Sequence, residues 1–267
     1  MKKTYIFFLS SIIIFGIIVF ILFGIPELKN SKSVIKNLNI IIGHDTFWGY
    51  DKKSGWDVKT KNIIYGNKTY NVYIDSNYKG KYDIELVNET YYFYDKNINK
   101  VNYSGDLFAY SGDANIIINN DYNTSQIGLD DIKYVNKFIN ELKNEKISLF
   151  DLTTNKKIEF DIDNDKKDEQ IYILSNFGCD NCQNSNYFSL VFIVDNNKAS
   201  LLSKSYSEND YYGINFYDLA YIIDINNDNN YEIILSKSTF GNNKTYHELF
   251  EKTKKGYIKV ISSGGNL

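Results

Sequence analysis

Residues Asp161–Glu169 read DIDNDKKDE, and residues Asp224–Glu232 read DINNDNNYE. Each phrase sets an oxygen-bearing side chain on alternate residues and closes on a glutamate. Extended to eighteen residues, DIDNDKKDEQIYILSNFG and DINNDNNYEIILSKSTFG agree at nine positions, at a spacing of 63 residues. Self-similarity at such a spacing marks a repeat, and it has to be read before anything else in the chain. The likeness continues downstream, where YFSLVFIVDNNKASLLS (Tyr187–Ser203) aligns without a gap with YHELFEKTKKGYIKVIS (Tyr246–Ser262). That alignment sets His247 opposite Phe188, as an ordinary strand position.

Each unit reads as strand, acidic loop, strand, turn, strand, turn, strand. The strands of the first are KIEF, QIYIL, SLVFIV and ASLLS; those of the second are YDLAYII, EIIL, HELFEK and YIKVIS. Short β-branched and aromatic runs between turn residues mark an all-β fold. A four-stranded unit in tandem is how propeller blades are built, although two units fall short of the roughly four to eight that close a propeller. A third, decayed copy is read in IDSNYKGKYDIEL (Ile74–Leu86), where Asp75, Asn77 and Asp83 align with Asp224, Asn226 and Glu232. Lys79 stands there at the position of Asp228, so this copy is structural only. Between it and the first good unit lies LDDIKYVNKFINELKNEK, starting at Leu129. Ile132, Val135, Ile139 and Leu142 recur there at helical spacing, which predicts an amphipathic helix laid on a sheet. The expected class is mainly β, with tandem four-stranded blade-like units, one amphipathic helix and an N-terminal transmembrane helix.

Calcium takes six to eight oxygens, from carboxylates, amides and main-chain carbonyls. A short loop supplies them when alternate residues turn inward. The first loop offers Asp161, Asp163, Asp165, the Lys167 carbonyl and Glu169; the second offers Asp224, Asn226, Asp228, the Asn230 carbonyl and Glu232. The closing acid is the ninth residue, and strands flank the loop on both sides. FDIDNDKKDEQIYIL and IDINNDNNYEIIL, each followed by Phe-Gly at 177–178 and 240–241, resemble the calcium loops of FG-GAP/VCBS repeats, the blade units of integrin-like β-propellers. The resemblance covers residues 156–262, and it implies bound Ca2+ and a blade-like fold. The family pattern carries glycine at the sixth position, where φ is positive. Lys166 and Asn229 stand there instead; Asn tolerates that region, and Lys costs about 1 kcal/mol in it.

The N-terminus predicts a membrane anchor. Lys2 and Lys3 precede an uncharged run from Tyr5 to Ile25, and roughly 20 apolar residues span the hydrocarbon core as a helix. No small-residue cleavage pattern follows the run. The short basic head is expected in the cytoplasm, with the bulk of a single-pass cell-membrane protein outside. The expected organisation is anchor at 1–28, stalk at 29–37, N-terminal β region at 38–128, connecting helix at 129–146 and the two repeats at 147–267.

The only cysteines, Cys179 and Cys182, sit in FGCDNCQNSNY, an enlarged turn of the first unit. Their spacing suits a local disulfide, half a zinc site or a redox pair; a disulfide tightening the turn is the preferred reading. No phosphate loop or nucleophile elbow occurs, and a net charge of -3 offers no basic field for nucleic acid. Trp48, Tyr50 and Trp56 form an aromatic cluster suited to packing or to stacking on a ligand. The expected function is binding or surface display on a calcium-stiffened scaffold, with a protein or carbohydrate ligand. The rivals are an anchored hydrolase with its site in residues 38–125 and an envelope thiol protein.

Overall fold

The computed structural model describes residues 37–43, 46–51, 53–58, 69–87, 90–97, 99–101, 103–112, 116–119, 122–143, 152–177, 186–208, 212–225, 229–242 and 244–263. The protein is mainly β, as expected, with three antiparallel sheets and no closed barrel. The expected anchor over Tyr5–Ile25 lies outside the described residues, as do Cys179 and Cys182.

The first repeat forms one sheet from β11 (Thr154–Phe160), β12 (Glu169–Ser175), β13 (Asn186–Asp195) and β14 (Lys198–Glu208). The second forms another from β15 (Asn215–Asp224), β16 (Glu232–Thr239), β17 (Thr245–Thr253) and β18 (Gly256–Ser262). Each is a meander whose first edge is covered by a strand from upstream. β9 (Ile117–Asn119) pairs with β15, and β10 (Asn123–Ser125) pairs with β11. These short strands satisfy main-chain groups that an open edge would expose.

The third sheet has eight strands in the order β3-β2-β1-β8-β4-β5-β6-β7. They are β1 (Asn37–Ile42), β2 (Thr46–Asp51), β3 (Gly55–Val58), β4 (Thr69–Ile74), β5 (Asn77–Val87), β6 (Thr90–Tyr94), β7 (Lys100–Val101) and β8 (Leu107–Gly112). One face of this sheet carries its own cluster of Ile41, Phe47, Tyr70, Val72 and Phe93.

The layers stack. Ile158, Ile171, Ile173 and Val191 of the first repeat meet Ile222, Ile233, Leu235 and Phe250 of the second. On its opposite face the second repeat meets Leu38, Ile40, Trp48, Phe108 and Tyr110 of the N-terminal sheet, through Tyr221, Ile223, Ile234 and Leu249. Successive residues Ile233, Ile234 and Leu235 therefore all face apolar neighbours, which explains why EIIL lacks the alternation of a half-wet strand. A fully buried side chain of this size contributes about 1.5–3 kcal/mol.

Equivalent residues face the same way. Ile158, Ile162 and Ile171 point from the first repeat toward the second, and their counterparts 63 residues on, Tyr221, Ile225 and Ile234, point from the second toward the N-terminal sheet. The units are thus stacked in one direction. The outer face of the first repeat is closed by the predicted helix. A 3-10 turn at Leu129–Asp131 leads into α1 (Ile132–Lys143). Val135, Phe138 and Ile139 are buried against Tyr172, Phe188 and Phe192, with the Phe138 and Phe192 rings 4.9 Å apart. Asp131 fixes the helix entry by accepting the Gly128 N–H at 3.0 Å and the Tyr172 hydroxyl at 2.8 Å.

Two expectations need correction. The decayed copy at Ile74–Leu86 does not make an acidic loop. Asp75 (φ 47°) and Ser76 (φ 62°) form a two-residue hairpin, and Asn77 already belongs to β5. Two successive left-handed residues are the requirement of a type I′ turn, which matches the twist of the flanking strands. The gapless alignment of the downstream halves also fails. Val191 pairs with Ile173, and the counterpart of Ile173, Ser236, pairs with His247. His247 thus corresponds to Val191, an offset of 56 and not 59. An odd slip moves every side chain to the other face, so the burial pattern decides the matter.

Candidate metal centre

The acidic loops join β11 to β12 and β15 to β16, and both are built on one set of main-chain bonds. In the first, the Asp161 carboxylate accepts the N–H of Asp165 at 3.0 Å and of Lys166 at 2.8 Å. Glu169 reaches back to accept the N–H of Ile162 at 2.7 Å. In the second, Asp224 accepts the N–H of Asn229 at 2.9 Å, and Glu232 accepts that of Ile225 at 2.9 Å. The sixth residue is left-handed in both, with φ 71° at Lys166 and 62° at Asn229. The first acid gathers donors four or five residues ahead, the ninth closes the ring, and the sixth takes the turn that glycine would take without cost.

The loops also touch. The Tyr231 N–H donates to the Ile162 carbonyl at 2.8 Å, and the Phe160 and Tyr231 rings meet edge-on at 5.0 Å. Further along, the rings of Phe177 and Phe240, from the two Phe-Gly pairs, lie 5.1 Å apart.

Among the described residues, Asp161, Asp163 and Glu169 each present a carboxylate oxygen within 4.8 Å of the others. Asp163 Oδ1 is buried with no hydrogen-bond partner. An orphaned buried carboxylate oxygen beside two more carboxylates fits a hard divalent cation, which prefers oxygen ligands. Burial pushes the Glu169 carboxyl up to about 7, against the lowering pulls of the Ile162 N–H and of Lys252. A bound cation would reverse that shift.

Asp165 does not belong to this cluster. Its Oδ1 accepts the Lys167 N–H at 2.9 Å, a tight local turn, and its Oδ2 lies 3.9 Å from the Lys167 ammonium. Lys167 also reaches Asn196 at 3.4 Å. In the second loop Asp224 and Glu232 are buried and Asn230 is exposed, while Asn226 and Asp228 lie outside the described residues.

Two residues absent from the loop motif complete the first cluster. Lys252 of β17 places its ammonium 2.6 Å from Asp163 and 2.7 Å from Asp195, at the end of β13. Glu169 lies 3.6 Å from the same nitrogen. Burial alone would lower the Lys252 pKa; the carboxylates of Asp163, Asp195 and Glu169 outweigh it and hold the side chain charged. No local pattern marks either residue, since the stacking of sheets brings them together.

The rival sites differ in kind. Trp48 is fully buried, and Trp56 packs edge-on against Tyr50 at 5.2 Å while donating to Glu251 at 3.2 Å. The aromatic cluster is therefore packing between sheets. A cavity of about 520 Å³ is lined by Asp106, Asp218, Tyr221, Ser236, Thr245 and His247, among others. The His247 Nδ1 bonds Thr46 Oγ1 at 2.9 Å, and that oxygen lies 2.7 Å from Ser263 Oγ. Thr46 is fully buried, so a substrate cannot reach this hydroxyl. Burial lowers the His247 pKa to about 4 and keeps the ring neutral. Asp218 is ion-paired with Lys156 at 2.7 Å. No family model, curated protein or solved structure matches the chain.

Proposed function

We propose that the two acidic loops hold calcium and that the protein is an extracytoplasmic, membrane-anchored β-repeat module for binding or surface display. The observation that carries this reading is the shared frame of the loops: first acid, left-handed sixth residue and ninth acid recur at one spacing, with the Asp161, Asp163 and Glu169 oxygens converging in the first. The resemblance to FG-GAP/VCBS repeats supports the same reading, as does the blade-like form of the two meanders. Calcium would supply positive charge to carboxylates that otherwise repel one another. The protein's part is to hold those oxygens in place, with Glu169 and Glu232 tying each loop shut.

The anchor is assigned to the apolar run Tyr5–Ile25. Among the described residues no helix is long and apolar enough to cross a membrane. Outside a cell, calcium modules work at roughly 10⁻⁴–10⁻³ M, so modest affinity suffices. The class of ligand proposed is a protein or a carbohydrate.

Calorimetric titration and thermal melting of the detergent-solubilised full chain test the metal assignment. Calcium should raise Tm, by the equivalent of about 2.7 kcal/mol at a hundredfold excess over Kd. Asp161→Ala combined with Asp228→Ala should remove most of the shift. No change in Tm at millimolar calcium would end the proposal.

A further inference from the structure

Lys252 belongs to the second repeat, yet its ammonium lies among carboxylates of the first. It sits 2.6 Å from Asp163 Oδ2, 2.7 Å from Asp195 Oδ2 and 3.6 Å from Glu169 Oε1. The side chain is only 19% exposed, and its ammonium lies 5.8 Å from the centre of the Tyr257 ring. Two of its three acids, Asp163 and Glu169, are also members of the triad that converges with Asp161.

We infer that Lys252 is a tethered competitor for the metal of the first loop: its ammonium occupies Asp163 and Glu169 when no ion is bound, and a divalent cation enters by displacing it onto Asp195. The inference rests on the calcium reading. Four carboxylates face this region: Asp161, Asp163, Glu169 and Asp195. A single ammonium leaves them with an excess of negative charge, so the loop keeps an attraction for a doubly charged ion. Lys252 also ties the loop to the neighbouring sheet, because Asp195 and Asp163 are held together through one nitrogen. Asp195 is the natural landing place for the displaced ammonium, since it is not one of the three converging carboxylates.

The test uses the detergent-solubilised full chain in an Asp228→Ala background, so that the first loop dominates the calcium signal. Lys252→Met and Lys252→Gln should each bind calcium at least tenfold more tightly than the parent, and Lys252→Arg should stay within about threefold of it. In chelator, Lys252→Met should lower Tm, and should lower it less when Asp163→Asn is already present. Calcium should restore the Tm lost in Lys252→Met.

Calcium binding by the parent with no gain in either neutral variant would overturn the displacement and leave the calcium reading standing. Absence of calcium binding in every variant would overturn the calcium reading. The non-additive melting of Lys252 and Asp163 in chelator would then show Lys252 to be only the loop's fixed counter-ion. Additive melting would overturn the ion pairing itself.

Discussion

The two repeats share a main chain and differ in what they charge. Next to the loops, β11 with β12 and β15 with β16 keep one register at a spacing of 63, Ile158 with Ile171 and Tyr221 with Ile234; a bulge at Leu219/Tyr221 shifts the far part of β15 by one residue. Inside that common frame the first loop carries Asp163, Lys166 and Lys167 where the second carries Asn226, Asn229 and Asn230. The comparison separates two jobs. The ninth acids satisfy buried N–H groups, the first acids gather the N–H groups at the loop tip, and both serve the turn itself. The residues between them set the charge of the loop and are free to change.

The largest expected effect sharpens this at a place where the repeats differ in the core. Val191 of the first corresponds to His247 of the second. His247 has a folded pKa of about 4 against an ordinary 6.5, because it is buried. A depressed base is neutral in the native state, so the unfolded chain binds the extra proton between these values. Stability is then complete above pH 6.5 and falls as the pH drops toward 4, by about 3 kcal/mol in total. Chemical denaturation across that range should reveal the slope, and His247→Phe should flatten it. An equally steep acid limb in the variant would place the loss elsewhere.

A smaller effect tests whether the closing glutamates are equivalent. Glu169→Ala and Glu232→Ala each leave a buried N–H, of Ile162 or Ile225, without its acceptor. Each should cost about 2 kcal/mol in urea unfolding. Glu169→Ala also removes a partner of Lys252, and repeating it in a Lys252→Met background measures that contact as the non-additive part of the two losses. Neutral outcomes at both positions would show that the frame is not built on these acids.

The smallest effect concerns the sixth residue. Lys166 holds φ 71° without the local side-chain bond that lets Asn tolerate this region. Lys166→Gly should stabilise by up to about 1 kcal/mol, whereas Asn229→Gly should change Tm little. A loss of stability in Lys166→Gly would mean that the side chain, and not the backbone, matters there.

How much of this was legible in the chain depends on how local the cause is. The twin loops could be read directly, because two nine-residue phrases with acids at the same positions each lie between apolar strands. The left-handed sixth residue could be anticipated from the glycine it replaces. The helix followed from Val135 and Ile139 at helical spacing. The downstream strands misled because the connection before β13 is longer than that before β17 by more than the gapless alignment allowed. The acids of 74–86 misled for another reason. Asp75 and Ser76 close a two-residue hairpin, so no loop remains for Asn77 and Asp83 to line. Asp75 turns its carboxylate to the Asp106 N–H at 2.9 Å, so close to Gly105 that a Cβ there would push the carboxylate aside. Asp165, an evident ligand on paper, turns to its own Lys167 N–H. Lys252 and Asp195 were illegible, since only the packing of one sheet on another makes them neighbours.

One-way stacking of the two repeats makes the assembly extensible from within. Each meander offers a donor side that fits the receiving side of the next, while α1 and the N-terminal sheet plug the two ends. A duplicated unit spliced between Glu208 and Asn215 would therefore enter in the same orientation as its neighbours, and the plugs would still cover the two ends of the column. Growth of such a protein by gene duplication would keep the order of faces and leave one new seam whose side chains have to be fitted.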